Sequence, residues 1–259
     1  MAKRSRNKQA ARERIARMRA EQARRRRRWI RLASGAAAAT VIGVAAAIVL
    51  AVTGGSGAAG GATSGLSLAP LSTLGATLLP APAPGATGPE GVPVPAAAPL
   101  AGTATAATGQ PVDQISCQTG EQTLFHVHAH LAIFVNGKAW QIPAAIGIPG
   151  AQAQQTPNGP YIATGSCFYW LHTHAADGII HIESPVQRTY TLGDFFDEWG
   201  QPLGPAQAGP AAGRVVALYN GQVYQGNPRD IPLDPHAQIQ LEIGTPLIAP
   251  QPVTFSTGL

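Results

Sequence analysis

From Leu32 to Val52 the chain reads LASGAAAATVIGVAAAIVLAV, 21 residues without a charge. This run constrains everything on either side of it. A helix rising 1.5 Å per residue needs about 20 predominantly apolar residues to cross the hydrocarbon core of a bilayer. Alanine and glycine keep the run only modestly apolar, yet Val41, Ile42, Val44, Ile48, Val49, Leu50 and Val52 lift it above an ordinary soluble helix. A transmembrane helix is expected over 32–52.

Charge orients that helix. Of the 18 Lys and Arg residues, 14 stand at or before Arg31, opposed there only by Glu13 and Glu21, so the first 31 residues carry +12 and the remainder −7. The positive-inside rule then puts 1–31 in the cytoplasm and the bulk of the chain outside it. Blocks of Lys and Arg also condense onto nucleic-acid phosphate. Placed directly before an uncharged span, however, Arg24 to Arg28 read as a topology signal and a contact for anionic lipid. The expected partner of residues 24–52 is membrane lipid, with no nucleic acid. The run Arg26-Arg27-Arg28-Trp29-Ile30-Arg31 also resembles a twin-arginine export motif, and small residues after Val52 admit cleavage. A retained signal-anchor and a cleaved export signal both stay open.

Residues 53–112 are Gly, Ala, Ser, Thr and Pro with scattered Leu and Val. Such a stretch cannot build a core of its own and is expected to be a disordered spacer, part flexible glycine and part extended polyproline. Folding is expected from Asp113 to the end, 147 residues, enough for one real core.

Strand signals dominate that part. Leu124 to Val135 alternates, with Phe125, Val127, Ala129, Leu131, Ile133 and Val135 on one side and His126, His128 and His130 on the other. Asn136-Gly137 supplies a two-residue turn, so Lys138 to Ile142 is expected to fold back. Asn220-Gly221 does the same between Val215–Tyr219 and Gln222–Gln225. Ala237 to Ile243 reads as a last strand, with Ile239, Leu241 and Ile243 inward and Gln238, Gln240 and Glu242 outward. One helix is marked by Thr191 as N-cap, Asp194 three residues on, apolar Leu192, Phe195, Phe196 and Trp199, and Gly200 as stop. The expected fold class is mainly β, a small single-domain sandwich or barrel with one short helix.

Cys117 and Cys167 are the only cysteines. Outside the cytoplasm they are expected to form a disulfide. A blue-copper role for Cys167 calls for an axial methionine, and the only methionines are Met1 and Met18.

Six of the seven histidines fall in two clusters, His126, His128, His130 and His172, His174, His181. Residues two apart on a strand share a face about 6.5–7 Å apart, so a His-x-His pair can offer two imidazoles to one ion. If Asp177-Gly178 is a two-residue turn, His174 faces His181 and His172 faces Glu183, and all four project from one face. Histidines with a nearby carboxylate are the donor set of tetrahedral zinc or tetragonal copper(II). Polar histidines on a solvated strand face, or a surface that responds to pH, are the plainer readings. Glu183 and Asp177 are the candidate catalytic residues, as proton carriers beside a metal-bound water.

The stretches HVHAHLAIFVNGKAWQIPAAIGI, LHTHAADGIIHIESP and YTLGDFFDEWG resemble a family of membrane-anchored extracytoplasmic domains of bacteria and archaea. These share the patterns HxHxHLxIxxNG, IPxxIGI, LHTHDxxGIIHIES and TLGxFFxxWG. The likeness covers residues 124–200 and, more loosely, NPRDIPL and IQLEIG up to Gly244. It implies that His126, His128, His130, His172, His174, His181 and Glu183 belong to one module. Ala175 stands where the pattern has Asp. If that Asp is a ligand or a base, this chain is one that binds metal without turning over a substrate.

The leading expectation is a membrane-anchored extracytoplasmic domain that binds zinc or copper for metal handling or sensing. The others are a metal-dependent enzyme using Glu183 or Asp177, and a structural or interaction module of the envelope.

Overall fold

The computed structural model describes residues 66–103 and 107–259. No helix among them is long and apolar enough to cross a membrane. The expected basic segment 1–31, the span 32–52 and the stretch 53–65 lie outside the described residues.

Among the described residues the domain is mainly β with a single α-helix, and its centre is one mixed sheet of eight strands. In chain order these are β1 (Leu68–Ala69), β2 (Phe125–Val135), β3 (Lys138–Trp140), β4 (Leu171–His172), β5 (Ile179–Ser184), β6 (Val215–Tyr219), β7 (Gln222–Tyr224) and β8 (Gln238–Ile243). Their order across the sheet is β1-β7-β6-β8-β2-β5-β4, with β3 also paired to β2. The pairing of β8 with β2 is parallel and the rest are antiparallel.

Both Asn-Gly turns form as expected. Asn136 and Gly137 take φ of 50° and 74°, and Asn220 and Gly221 take 49° and 78°. Positive φ at both central residues is the type I′ geometry that matches the twist of the flanking strands.

One face of the sheet is the core. Ala129, Leu131 and Ile133 of β2, Ile180 and Ile182 of β5, and Ile239, Leu241 and Ile243 of β8 are buried there. Helix α1 (Leu192–Glu198) packs on this cluster through Leu192, Phe195, Phe196 and the following Trp199, none of which retains exposed surface. The Thr191 side chain accepts from the Asp194 N–H, and the Asp194 carboxylate accepts from the Thr191 N–H. This reciprocal cap satisfies two donors the helix would otherwise leave unpaired. Burying each large apolar side chain here contributes about 1.5–3 kcal/mol.

The other face holds the largest differences from the sequence reading. Residues 66–103, read from composition as spacer, lie along the domain. Leu68–Ala69 add β1 to the edge of the sheet. Further on, residues 79–100 form a strap pinned at both ends. Leu79 exchanges backbone hydrogen bonds with Leu247 and Ala249, and Gln141 does so with Ala98 and Leu100. Val92 is fully buried and Leu100 nearly so. A proline-rich segment cannot fold by itself, but it can dock as extended chain on an apolar surface built by other residues, because it has few N–H groups to satisfy.

Gln240 and Glu242, expected to point outward, are buried by the C-terminal tail. The Glu242 carboxylate accepts from the Ile248 N–H (3.2 Å), and the Gln240 side-chain oxygen accepts from the Gln251 N–H (2.9 Å).

Candidate metal centre

The β2, β5 and β4 strands lie side by side, and their register decides which histidines meet. His128 is opposite His181 and His126 opposite Glu183. On the other side of β5, His172 is opposite His181. Three imidazoles, His128, His181 and His172, therefore form a row across three adjacent strands.

This register differs by two residues from the one expected, in which His174 faced His181 and His172 faced Glu183. The connection at 173–178 is longer than a two-residue turn. Thr173 is drawn aside to another segment, where its hydroxyl donates to the Pro143 carbonyl (2.9 Å) and its own N–H donates to the Ile146 carbonyl (3.1 Å). Asp177 then closes a side-chain turn by accepting from the Ile179 N–H (3.1 Å). Gly178 takes φ of 85°, and a Cβ there would run into the Leu131 carbonyl oxygen. Since the side-chain period of a strand is two, a shift of two keeps every side chain on its face. His172, His181 and Glu183 still converge, and His174 enters from the loop.

The donor atoms fall into two overlapping sets, one of His126, His128, His181 and Glu183, the other of His172, His174, His181 and Glu183. In the first set His126 Nε2 lies 3.1 Å from His128 Nε2, which is 3.1 Å from His181 Nδ1. Glu183 Oε1 lies 3.4 Å from that Nδ1 and 3.1 Å from His126 Nε2. Four ligands about 2.0–2.1 Å from a tetrahedral ion are about 3.3–3.4 Å from one another; the four neighbouring separations here are close to that, and all four atoms lie within 4.8 Å of one another.

The second set is oriented from behind. His172 Nδ1–H donates to the Tyr169 carbonyl (2.8 Å) and His174 Nδ1–H to the Ile162 carbonyl (2.5 Å). Carbonyls only accept, so both protons sit on Nδ1 and both Nε2 atoms present lone pairs. Those lone pairs face each other at 3.1 Å. Tyr161 stacks on the His174 ring with centroids 4.8 Å apart, and Phe168 lies edge-on to His172 at 5.7 Å. Hydrogen bonding of the distal ring nitrogen together with close ring packing is the usual support of metal-ligating histidine.

Electrostatics follow from this burial. Desolvation, then the proximity of His181 and His126, pushes His128 down to about 3. Burial also holds His172 well below the ordinary imidazole value and lowers His174, each reinforced by His181. His181 goes the other way: burial disfavours its charge, but the carboxylates of Glu183 and Glu90 outweigh it and raise the group to about 9. Neutral His128, His172 and His174 thus surround a His181 that carries the proton.

Two carboxylates at the site come from residues that the sequence reading did not single out. Glu90, on the strap, accepts from His181 Nε2 at 2.6 Å and is itself buried. Glu121 Oε1 lies 3.5 Å from His174 Nε2 and is part exposed. Glu90 had a readable signal, being the only charged residue between Val52 and Asp113. Buried oxygens Glu90 Oε2 and Glu183 Oε2 have no hydrogen-bond partner.

His130 and Asp177 fall outside both sets. His130 Nε2–H donates to the Asp177 carbonyl (3.0 Å), and burial lowers the ring to about 4. It lines a cavity of about 940 Å³ between the strap and the sheet, beside Phe134 and Pro93. The Asp177 carboxyl is raised to about 7 by burial and then by Glu90, and its Oδ1 belongs to the turn. The seventh histidine, His236, is exposed and stacks on Phe255. Cys117 and Cys167 are joined as expected.

No protein-family model matches the chain, and neither a curated protein nor a solved structure matches it.

Proposed function

We propose that this is a membrane-anchored extracytoplasmic metal-handling protein, binding zinc or copper through its histidine cluster. One observation carries the reading. His172 Nε2 and His174 Nε2 are two buried lone pairs 3.1 Å apart, with both ring protons already donated to carbonyls. Two acceptors at that distance repel unless a cation lies between them. Buried polar atoms without partners cost about 1–3 kcal/mol each, and the unpartnered oxygen of Glu183, which shares a donor set with both rings, marks the same place as one for a cation.

The location rests on the sequence. The uncharged run 32–52 and the +12 segment before it support a single span with the domain outside. The disulfide suits an oxidising compartment. Anionic lipid is the partner of the basic flank.

The test is metal analysis of the full-length chain with calorimetric titration by Zn²⁺ and Cu²⁺. Submicromolar uptake is expected, reduced in the His172→Ala/His174→Ala chain and lost when His126 and His128 are replaced by alanine as well. A wild-type chain taking up no ion at micromolar concentration ends the reading. Labelling of single cysteines placed before and after 32–52 in intact cells tests the topology.

A further inference from the structure

The number of ions the cluster can hold follows from its donor arrangement. It rests on the cluster being a metal site. Six side chains contribute to the two sets, whereas a tetrahedral ion takes four ligands. The rings are also divided in direction. His172 and His181 are stacked with centroids 5.4 Å apart and planes 9° from parallel. Ring-nitrogen lone pairs lie in the ring plane, so those of two stacked rings run in separate planes and do not meet at one point. His181 Nδ1 instead looks toward His128 and Glu183, while its Nε2–H is held by Glu90 at 2.6 Å. That is the arrangement of a ligating imidazole steadied by a carboxylate on its far nitrogen.

We infer that the centre is built for two divalent cations bridged by Glu183. The first ion takes His126 Nε2, His128 Nε2, His181 Nδ1 and Glu183 Oε1. The second takes His172 Nε2, His174 Nε2 and Glu183 Oε2, the buried oxygen that has no other partner. Glu121, 3.5 Å from His174 Nε2 and 41 % exposed at its side chain, stands at the open side of the second ion. Each His-x-His pair supplies two nitrogens 3.1 Å apart from one strand or strand end, so each pair is a chelate by itself. The charges also suit two dications: Glu90, Glu121 and Glu183 are three carboxylates around imidazoles that bind metal in neutral form.

The test is stoichiometry on the full-length chain, by Zn²⁺ titration followed by metal analysis after gel filtration. Two ions per chain are expected, falling to one in His126→Ala/His128→Ala and to one in His172→Ala/His174→Ala. In chains loaded with two Cu²⁺, magnetic coupling through the Glu183 bridge is expected to reduce the electron-paramagnetic signal per copper below that of the one-copper form. That measurement uses the unaltered chain and so does not depend on any variant folding. One ion in the unaltered chain overturns the two-ion arrangement and leaves the metal reading standing. Two ions with fully additive copper signals, or two ions both retained in the double variants, also overturn it. No ion at all removes the metal reading itself.

Discussion

Glu90 and His181 are 91 positions apart in the chain and meet at 2.6 Å, carboxylate oxygen to ring nitrogen, inside the domain. The strap bearing Glu90 is therefore part of the site and does more than cover it. A Glu90→Gln chain keeps the size of the side chain but loses the charge that fixes His181. Loss of such a supporting partner typically weakens metal binding about 10–100-fold. Competition titrations against a chelator of known affinity measure this, and an unchanged affinity would show that the strap only shields the cluster.

Ion binding to the folded chain alone stabilises it by mass action. At free Zn²⁺ of 100 times the dissociation constant the gain is about 2.7 kcal/mol. For a domain of this size that is a rise in Tm of about 5–10 °C. Differential scanning calorimetry with Zn²⁺ and then with excess chelator should show the rise and its reversal.

The disulfide acts on the site through one strand end. Cys117 pairs in β fashion with Tyr169, and the Tyr169 carbonyl is the acceptor that orients His172. Cys117 and Cys167 are 50 residues apart, so removing the link with Cys117→Ser/Cys167→Ser should cost roughly 3–4 kcal/mol by loop-closure entropy. Urea unfolding reads that loss. Metal affinity should fall as well, since the strand end holding the His172 ring is no longer tied down.

Glu198 gives a pH dependence away from the cluster. It is fully buried at the end of α1. Burial first, then Asp194 and Asp113, holds its carboxyl well above the ordinary value. The folded chain therefore keeps a proton that the unfolded chain releases. Stability from this group is whole below the unfolded carboxylate value near pH 4.5 and declines as pH rises toward the raised folded value. Compared by urea unfolding at pH 4 and pH 7.5, a Glu198→Gln chain should gain on the unaltered chain at the higher pH. A constant difference between the two would show that Glu198 does not titrate in the fold.

Much of the fold was legible because its determinants are local. Each Asn-Gly pair carries its turn geometry in two residues, and Thr191 with Asp194 caps the helix within one turn. The alternation of β2 assigned Leu131 and Ile133 to the core and His126 and His128 to the opposite face. What could not be read depends on distant partners. The hairpin register moved by two because Thr173 bonds to Pro143 and Ile146, some thirty residues earlier. His130 has the same spacing as His126 and His128 yet meets the Asp177 carbonyl, since the turn brings that group beside it. Composition could not show that residues 66–103 would complete another segment's surface.

Strand β2 lies between β5 and β8, and β8 ends at Ile243 of a 259-residue chain. The strand that carries His126 and His128 thus takes its second neighbour from a segment more than 100 residues further along the chain. A chain lacking 238–243 would leave His130–Val135 unpaired on that side, while His126 and His128 keep their partners Glu183 and His181. Such long-range pairing is slow to form, so the sheet closes around β2 after the local Asn-Gly hairpins on either side of it.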